Sequence, residues 1–127
     1  MTLNFIQITE MLSVLEDIKE TKMPFKLSLI FAKNIAALTA EQNFYIERER
    51  EFAGKYLATD GNGQFIVQGE NAFKIKDGLE QECMEARKEL NNFESEVNLR
   101  TIPIDLIENM EFTPKQLAAL EILIEEE

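Results

Sequence analysis

Two amphipathic stretches, Phe31 to Tyr56 and Leu79 to Phe93, flank the turn-rich run Asp60-Gly61-Asn62-Gly63, and this arrangement constrains the fold more than any other feature. In the second stretch Leu79, Cys83, Ala86, Leu90 and Phe93 recur at alternating steps of four and three, which holds one apolar stripe toward one partner along a helix. From Pro24 the helical pattern lasts about 30 residues, with Leu27, Phe31, Ile35, Leu38, Tyr45, Phe52 and Tyr56 on one face and Gln42 and Glu49 interrupting it. At 1.5 Å per residue that helix is about 45 Å long, so part of it is expected to project. The expected fold is mainly α (α+β): a long antiparallel helical hairpin over 24–58 and 77–94, a β-turn or hairpin over 60–76, and a strand plus short C-terminal helix over 97–124.

The remaining segments follow from local chemistry. Ile8, Leu12, Leu15 and Ile18 lie at helical spacing, with Thr9 available as a cap and an end near Lys19; Leu3-Asn4-Phe5-Ile6 reads equally as a short strand or an extra helical turn. Met23-Pro24 breaks that helix, because proline disfavours helix at the residue before it and suits the first position of the next one. Asp60 to Gly63 tolerate the backbone of a tight turn, and Gln64-Phe65-Ile66-Val67 follows as a β-prone segment that Phe73-Lys74-Ile75 can pair with. Asn71 and Asp77 are both candidate caps for the third helix, with Gly78 favouring the later start and Asn92 near its end. Val97, Leu99 and Thr101 alternate with polar residues and lead into Ile102-Pro103-Ile104, a strand with its proline at an edge that can pair with Leu3 to Ile6 or with Phe65 to Val67. Thr113-Pro114 is a cap followed by proline at the first helical position, and Leu117, Leu120, Leu123 and Ile124 form the apolar face that follows. The terminal Glu125-Glu126-Glu127 sits at the unfavourable end of the helix dipole and is expected to fray.

Chemistry is sparse. The chain has 127 residues, enough for one domain and one core, with 24 acidic and 13 basic side chains and a net charge of −11. That charge repels phosphate backbones and anionic membranes, so direct nucleic-acid and membrane binding are not expected, although an acidic surface can attract a basic partner, including the nucleic-acid site of another protein. Apolar runs fall short of the roughly 20 residues that span a bilayer, and a basic start followed by a long apolar stretch is missing, which places the chain in a cytoplasm. The single Cys83 has no intramolecular partner and no histidine to activate it, and it reads as a small buried hydrophobe. Asp60-Gly61-Asn62-Gly63 invites comparison with a calcium loop but fails it, since the twelfth position, where a glutamate is needed, is Asn71. Glu85 and Glu89 lie one turn apart on an open helix face, and the alternating Glu47-Arg48-Glu49-Arg50-Glu51 reads as a solvated surface. No catalytic, cofactor-binding or metal-binding residues are assigned.

The order of these elements, together with Ile102-Pro103-Ile104-Asp105-Leu106-Ile107-Glu108-Asn109 and Thr113-Pro114-Lys115-Gln116-Leu117-Ala118-Ala119-Leu120, resembles a group of small uncharacterised tailed-bacteriophage proteins over about residues 24 to 124. The resemblance implies a phage context, in a host cytoplasm or in the virion, and transfers no active-site residues. Three classes of function follow. The first is a non-enzymatic protein that acts in the virion or as an assembly factor, its partners being further copies of itself or phage structural proteins. The second is a small acidic inhibitor of a host protein, and the third is an enzyme relying on carboxylates alone. The candidate protein-interface residues are Phe44, Tyr45, Phe52 and Tyr56, with the competing expectation that they pack against Phe93 and the C-terminal segment.

Overall fold

A computed structural model describes residues 1–69 and 72–125, and divides them into a larger unit, Met1–Asn43 with Glu94–Glu127, and a smaller unit, Phe44–Phe93. The fold is mainly α, with a long helical hairpin, small β elements and a short C-terminal helix. The elements in chain order are β1 (Thr2–Asn4), α1 (Phe5–Ile18), α2 (Phe25–Tyr56), α3 (Glu80–Asn92), β2 (Glu94–Glu96), β3 (Ile102–Pro103), α4 (Pro114–Leu120) and β4 (Ile124–Glu125). No described helix is long and apolar enough to cross a membrane.

In the larger unit, Leu3-Asn4-Phe5-Ile6 turns out to be both of its alternatives in succession: a strand through Asn4, then a helix from Phe5. Asn4 caps α1 in place of Thr9, because its side chain accepts from the Gln7 amide while Gln7 Oε1 accepts from the Asn4 amide, a reciprocal box that sets the cap five residues earlier than expected. The expected apolar positions Ile8, Leu12, Leu15 and Ile18 are all buried. β1 pairs antiparallel with β2, Leu3 opposite Ser95, and β3 pairs parallel with β4, Ile102 opposite Ile124.

The expected strand over Val97 to Thr101 is not formed. The ladder lies one step earlier, over Glu94–Glu96, and the backbone after it finds partners elsewhere: the Val97 amide donates to the Met1 carbonyl, and Asn34 takes both backbone groups of Arg100. Ile104 also leaves the extended form, opening a 3-10 turn through Leu106. Thr113 caps α4 with Pro114 at its first position as expected, but the helix stops at Leu120; a 3-10 turn and β4 follow, so Ile124 joins a strand instead of the helical face. Leu120 and Leu123 are buried, whereas Leu117 is exposed. Of the terminal glutamates, Glu126 and Glu127 lie outside the described residues.

The smaller unit holds residues 44–56 of α2, a β module and α3. Along the hairpin Tyr45 meets Phe93 and Glu49 meets Arg87, so numbering rises on one helix as it falls on the other and the pair is antiparallel. α3 begins at Glu80, three residues after Asp77, which does not cap it; Leu79 holds the cap position without a side-chain hydrogen bond, and Glu80 and Glu82 complement the dipole. Asn71 lies outside the described residues. Gly78 turns the chain into the helix at φ +85°, a conformation in which a side chain is strained.

The β module is more than the expected hairpin. The Ala58 amide donates to the Lys74 carbonyl (2.9 Å), that of Lys74 to Ile66 (2.8 Å) and that of Ile66 back to Ala58 (3.2 Å), closing a ring of three short segments at a spacing of eight residues. A second set repeats the pattern two residues on, from Asp60 to Gln64, from Gln68 to Ala72 and from Lys76 to Tyr56. The antiparallel bridges Leu57–Ile75, Thr59–Phe65 and Val67–Phe73 therefore put all six of those side chains on one side of the ring. Asp60 explains its turn: its Oδ1 accepts from the Asn62 and Gln64 amides, an Asx turn.

Candidate interaction site

The four candidate interface residues have different fates. Tyr45 is fully buried, its hydroxyl donating to the Phe93 carbonyl (2.9 Å) and its ring meeting the Phe93 ring edge-on at 5.8 Å. Tyr56 is also buried, with Phe52 at 5.1 Å between ring centroids. Phe44 is exposed and contacts Phe93 at 6.3 Å, with the Arg48 guanidinium 4.6 Å over its ring. Phe52 is half-buried beneath Arg87, whose guanidinium carbon lies 4.1 Å from the ring centroid. Tyr45 and Tyr56 are thus core residues of the hairpin, and Phe44 and Phe52 are its accessible edge.

Between the hairpin and the β module lies an open cavity of about 710 Å³, lined by Ile46, Phe52, Leu57, Phe65, Phe73 and Met84 among others, with Glu49, Arg50 and Arg87 contributing charge. Phe65 and Phe73 form an edge-on ring pair at 5.9 Å, and both are exposed, as are Ile46 and Met84. Arg87 grips Glu49 through two hydrogen bonds of 2.7 Å, which holds the Glu49 carboxyl below its ordinary range against the opposing effect of partial burial. The Arg87 guanidinium is held above its own ordinary value by the same contact. Each charge already has a partner within the unit. What the cavity offers a ligand is apolar surface.

Searches of protein-family models, curated proteins and solved structures find no match. Phe65 and Phe73 were read only as strand residues of a hairpin, and Ile46 and Met84 lie off the apolar stripes that the helical spacing picked out. The available signal was the eight-residue recurrence of Leu57, Phe65 and Phe73, with Thr59, Val67 and Ile75 two positions on, an internal repeat marking a module with an apolar face. Cys83 lines the same cavity and is buried, as expected of a small hydrophobe. Among the described residues no group of histidine, cysteine or carboxylate side chains is arranged to hold a metal.

Proposed function

We propose that this chain is a non-enzymatic phage protein that acts by protein–protein interaction, in the virion or as an assembly factor, through the apolar face of its smaller unit. The observation that carries the reading is an imbalance of burial. Among the described residues the larger unit buries sixteen apolar side chains and the smaller unit only Tyr45, Tyr56 and Cys83; each unit leaves seven large ones exposed, and in the smaller unit four of these, Ile46, Phe65, Phe73 and Met84, line one cavity. Exposed apolar surface gathered around one cavity marks a contact site more often than it marks idle surface. The phage context rests on the resemblance of the sequence, and the chain carries no histidine to serve as a base.

The runner-up, an acidic inhibitor of a host protein, draws on a different part of the molecule. The larger unit holds fourteen of the 24 acidic residues and six of the 13 basic ones, while the smaller holds ten and seven. An inhibitor working through the larger unit would bind a basic site and release it as salt rises; an assembly contact through the apolar face would persist in salt. The test is to replace Met84 by glutamate in a phage genome that encodes the chain and to follow the protein through particle purification. The reading expects wild-type protein to co-purify with particles or assembly intermediates and Met84→Glu to be lost from them. Wild-type protein found only with host proteins, in complexes that dissolve in salt, would contradict it.

A further inference from the structure

The groove of the smaller unit has a composition that identifies its occupant, and the argument rests on the interaction reading above. We propose that the groove is filled by a second copy of this chain, docked about a two-fold axis so that each copy inserts Met84 and Phe73 beside the other's cavity.

Strand addition does not supply the contact. The three segments of the β module pair with one another in a closed ring, so the amides and carbonyls that an added strand would need at Ala58, Ile66 and Lys74 are already taken. The occupant must pack by side chains. The same face presents projections and a hollow together: Met84 is 66% exposed and Phe73 50% exposed at the margin of the cavity of about 710 Å³. A two-fold contact uses one patch on both partners, and a patch with its own projection and recess satisfies that requirement. Methionine suits the inserted position because its unbranched thioether adapts to an irregular recess.

Charge points the same way. The rim carries both signs, with Glu49 and Arg87 paired and Arg50 bonded to Glu47, so a copy turned about the axis meets a rim as mixed as its own. A strongly basic or acidic partner finds no matching field there. Two chains of charge −11 repel, and that repulsion is weakest where the smaller units meet, since most of the acidic excess belongs to the larger unit.

Area is sufficient. Ile46, Phe65, Phe73 and Met84 are 36, 41, 50 and 66% exposed, which at about 150–200 Å² per side chain leaves roughly 300–400 Å² of apolar surface on each copy. A stable dimer buries about 800 Å² per partner, with an apolar centre and a polar rim, so this patch supplies the centre and the charged edge of the hairpin supplies the rim.

The test is the solution mass of the full chain by light scattering, across concentration and at low and high salt. The expected result is twice the chain mass of 14.7 kDa, retained or strengthened in high salt, where the repulsion is screened. Met84→Glu and Phe73→Asp, made separately, are expected to return the mass to 14.7 kDa with an unchanged circular dichroism spectrum. Phe25→Asp, at a more exposed position of the larger unit, is expected to stay dimeric. A wild-type monomer at the highest soluble concentration overturns the proposal, as does a dimer that both groove variants leave intact. A monomer that still enters particles in a Met84-dependent way assigns the groove to a foreign protein and leaves the interaction reading standing. A dimer that never enters particles sustains the dimer and defeats that reading.

Discussion

Arg87 on α3 and Glu49 on α2 are joined by two hydrogen bonds of 2.7 Å, with the guanidinium stacked 4.1 Å from the Phe52 ring centroid. A planar fork against a carboxylate and a ring fixes the hairpin's register in a way a lone surface ion pair does not. Both side chains are over one-third exposed, so screening reduces the contribution.

Glu49→Gln is expected to cost about 0.5–1 kcal/mol near neutral pH, allowing for that screening. The Glu49 carboxyl titrates below its ordinary value of 4.5 in the fold, so the folded state holds fewer protons there than the unfolded one. Its contribution is therefore present above about 4.5 and is lost as pH falls through the depressed folded value. Urea midpoints of wild type and Glu49→Gln are expected to differ at neutral pH and to converge in acid. A gap that stays constant or widens in acid would contradict the assignment.

Asn34 is buried and acts as a substitute strand, its amide nitrogen donating to the Arg100 carbonyl (3.0 Å) and its oxygen accepting from the Arg100 amide (2.8 Å). Asn34→Ala leaves both backbone groups of Arg100 without that partner, and the expected loss is about 2–3 kcal/mol. The check is a lowered urea midpoint with an unchanged slope, as a loss of stability without a change in compactness requires.

Tyr45→Phe removes one hydrogen bond to the Phe93 carbonyl and keeps the ring, and is expected to cost about 1 kcal/mol. Because Tyr45 is buried, the variant's solution mass is expected to match that of wild type. A change of mass with no change of melting temperature would make Tyr45 an interface residue after all.

Periodicity made α1 legible, since Ile8, Leu12, Leu15 and Ile18 needed only a single buried stripe. Thr113-Pro114 was legible because capping chemistry is local. The errors lie where a distant group outcompeted a local pattern. Val97 to Thr101 alternates like a strand, yet Asn34, 66 residues before Arg100, took its backbone groups. Thr9 is a good cap residue, but the Asn4–Gln7 box started the helix first. For the candidate site, helical spacing put Tyr45, Phe52 and Tyr56 on one face, and no spacing rule shows how much of a face its neighbours cover. Tyr45 and Tyr56 went under while Phe73, in the segment read as a hairpin strand, and Met84, off the apolar stripe of α3, stayed open.

The central claim is that protein covers the apolar face of the smaller unit when the chain is at work, and Met84 reports on it directly because thioether oxidation follows exposure. The measurement is the rate of Met84 oxidation by dilute peroxide in the assembled wild-type protein, with buried Met11 as the slow reference and the Phe73→Asp chain as the uncovered one. The account predicts that Met84 oxidises about as slowly as Met11 in the wild-type assembly and rapidly in Phe73→Asp. Rapid oxidation of Met84 in the wild-type assembly would contradict it.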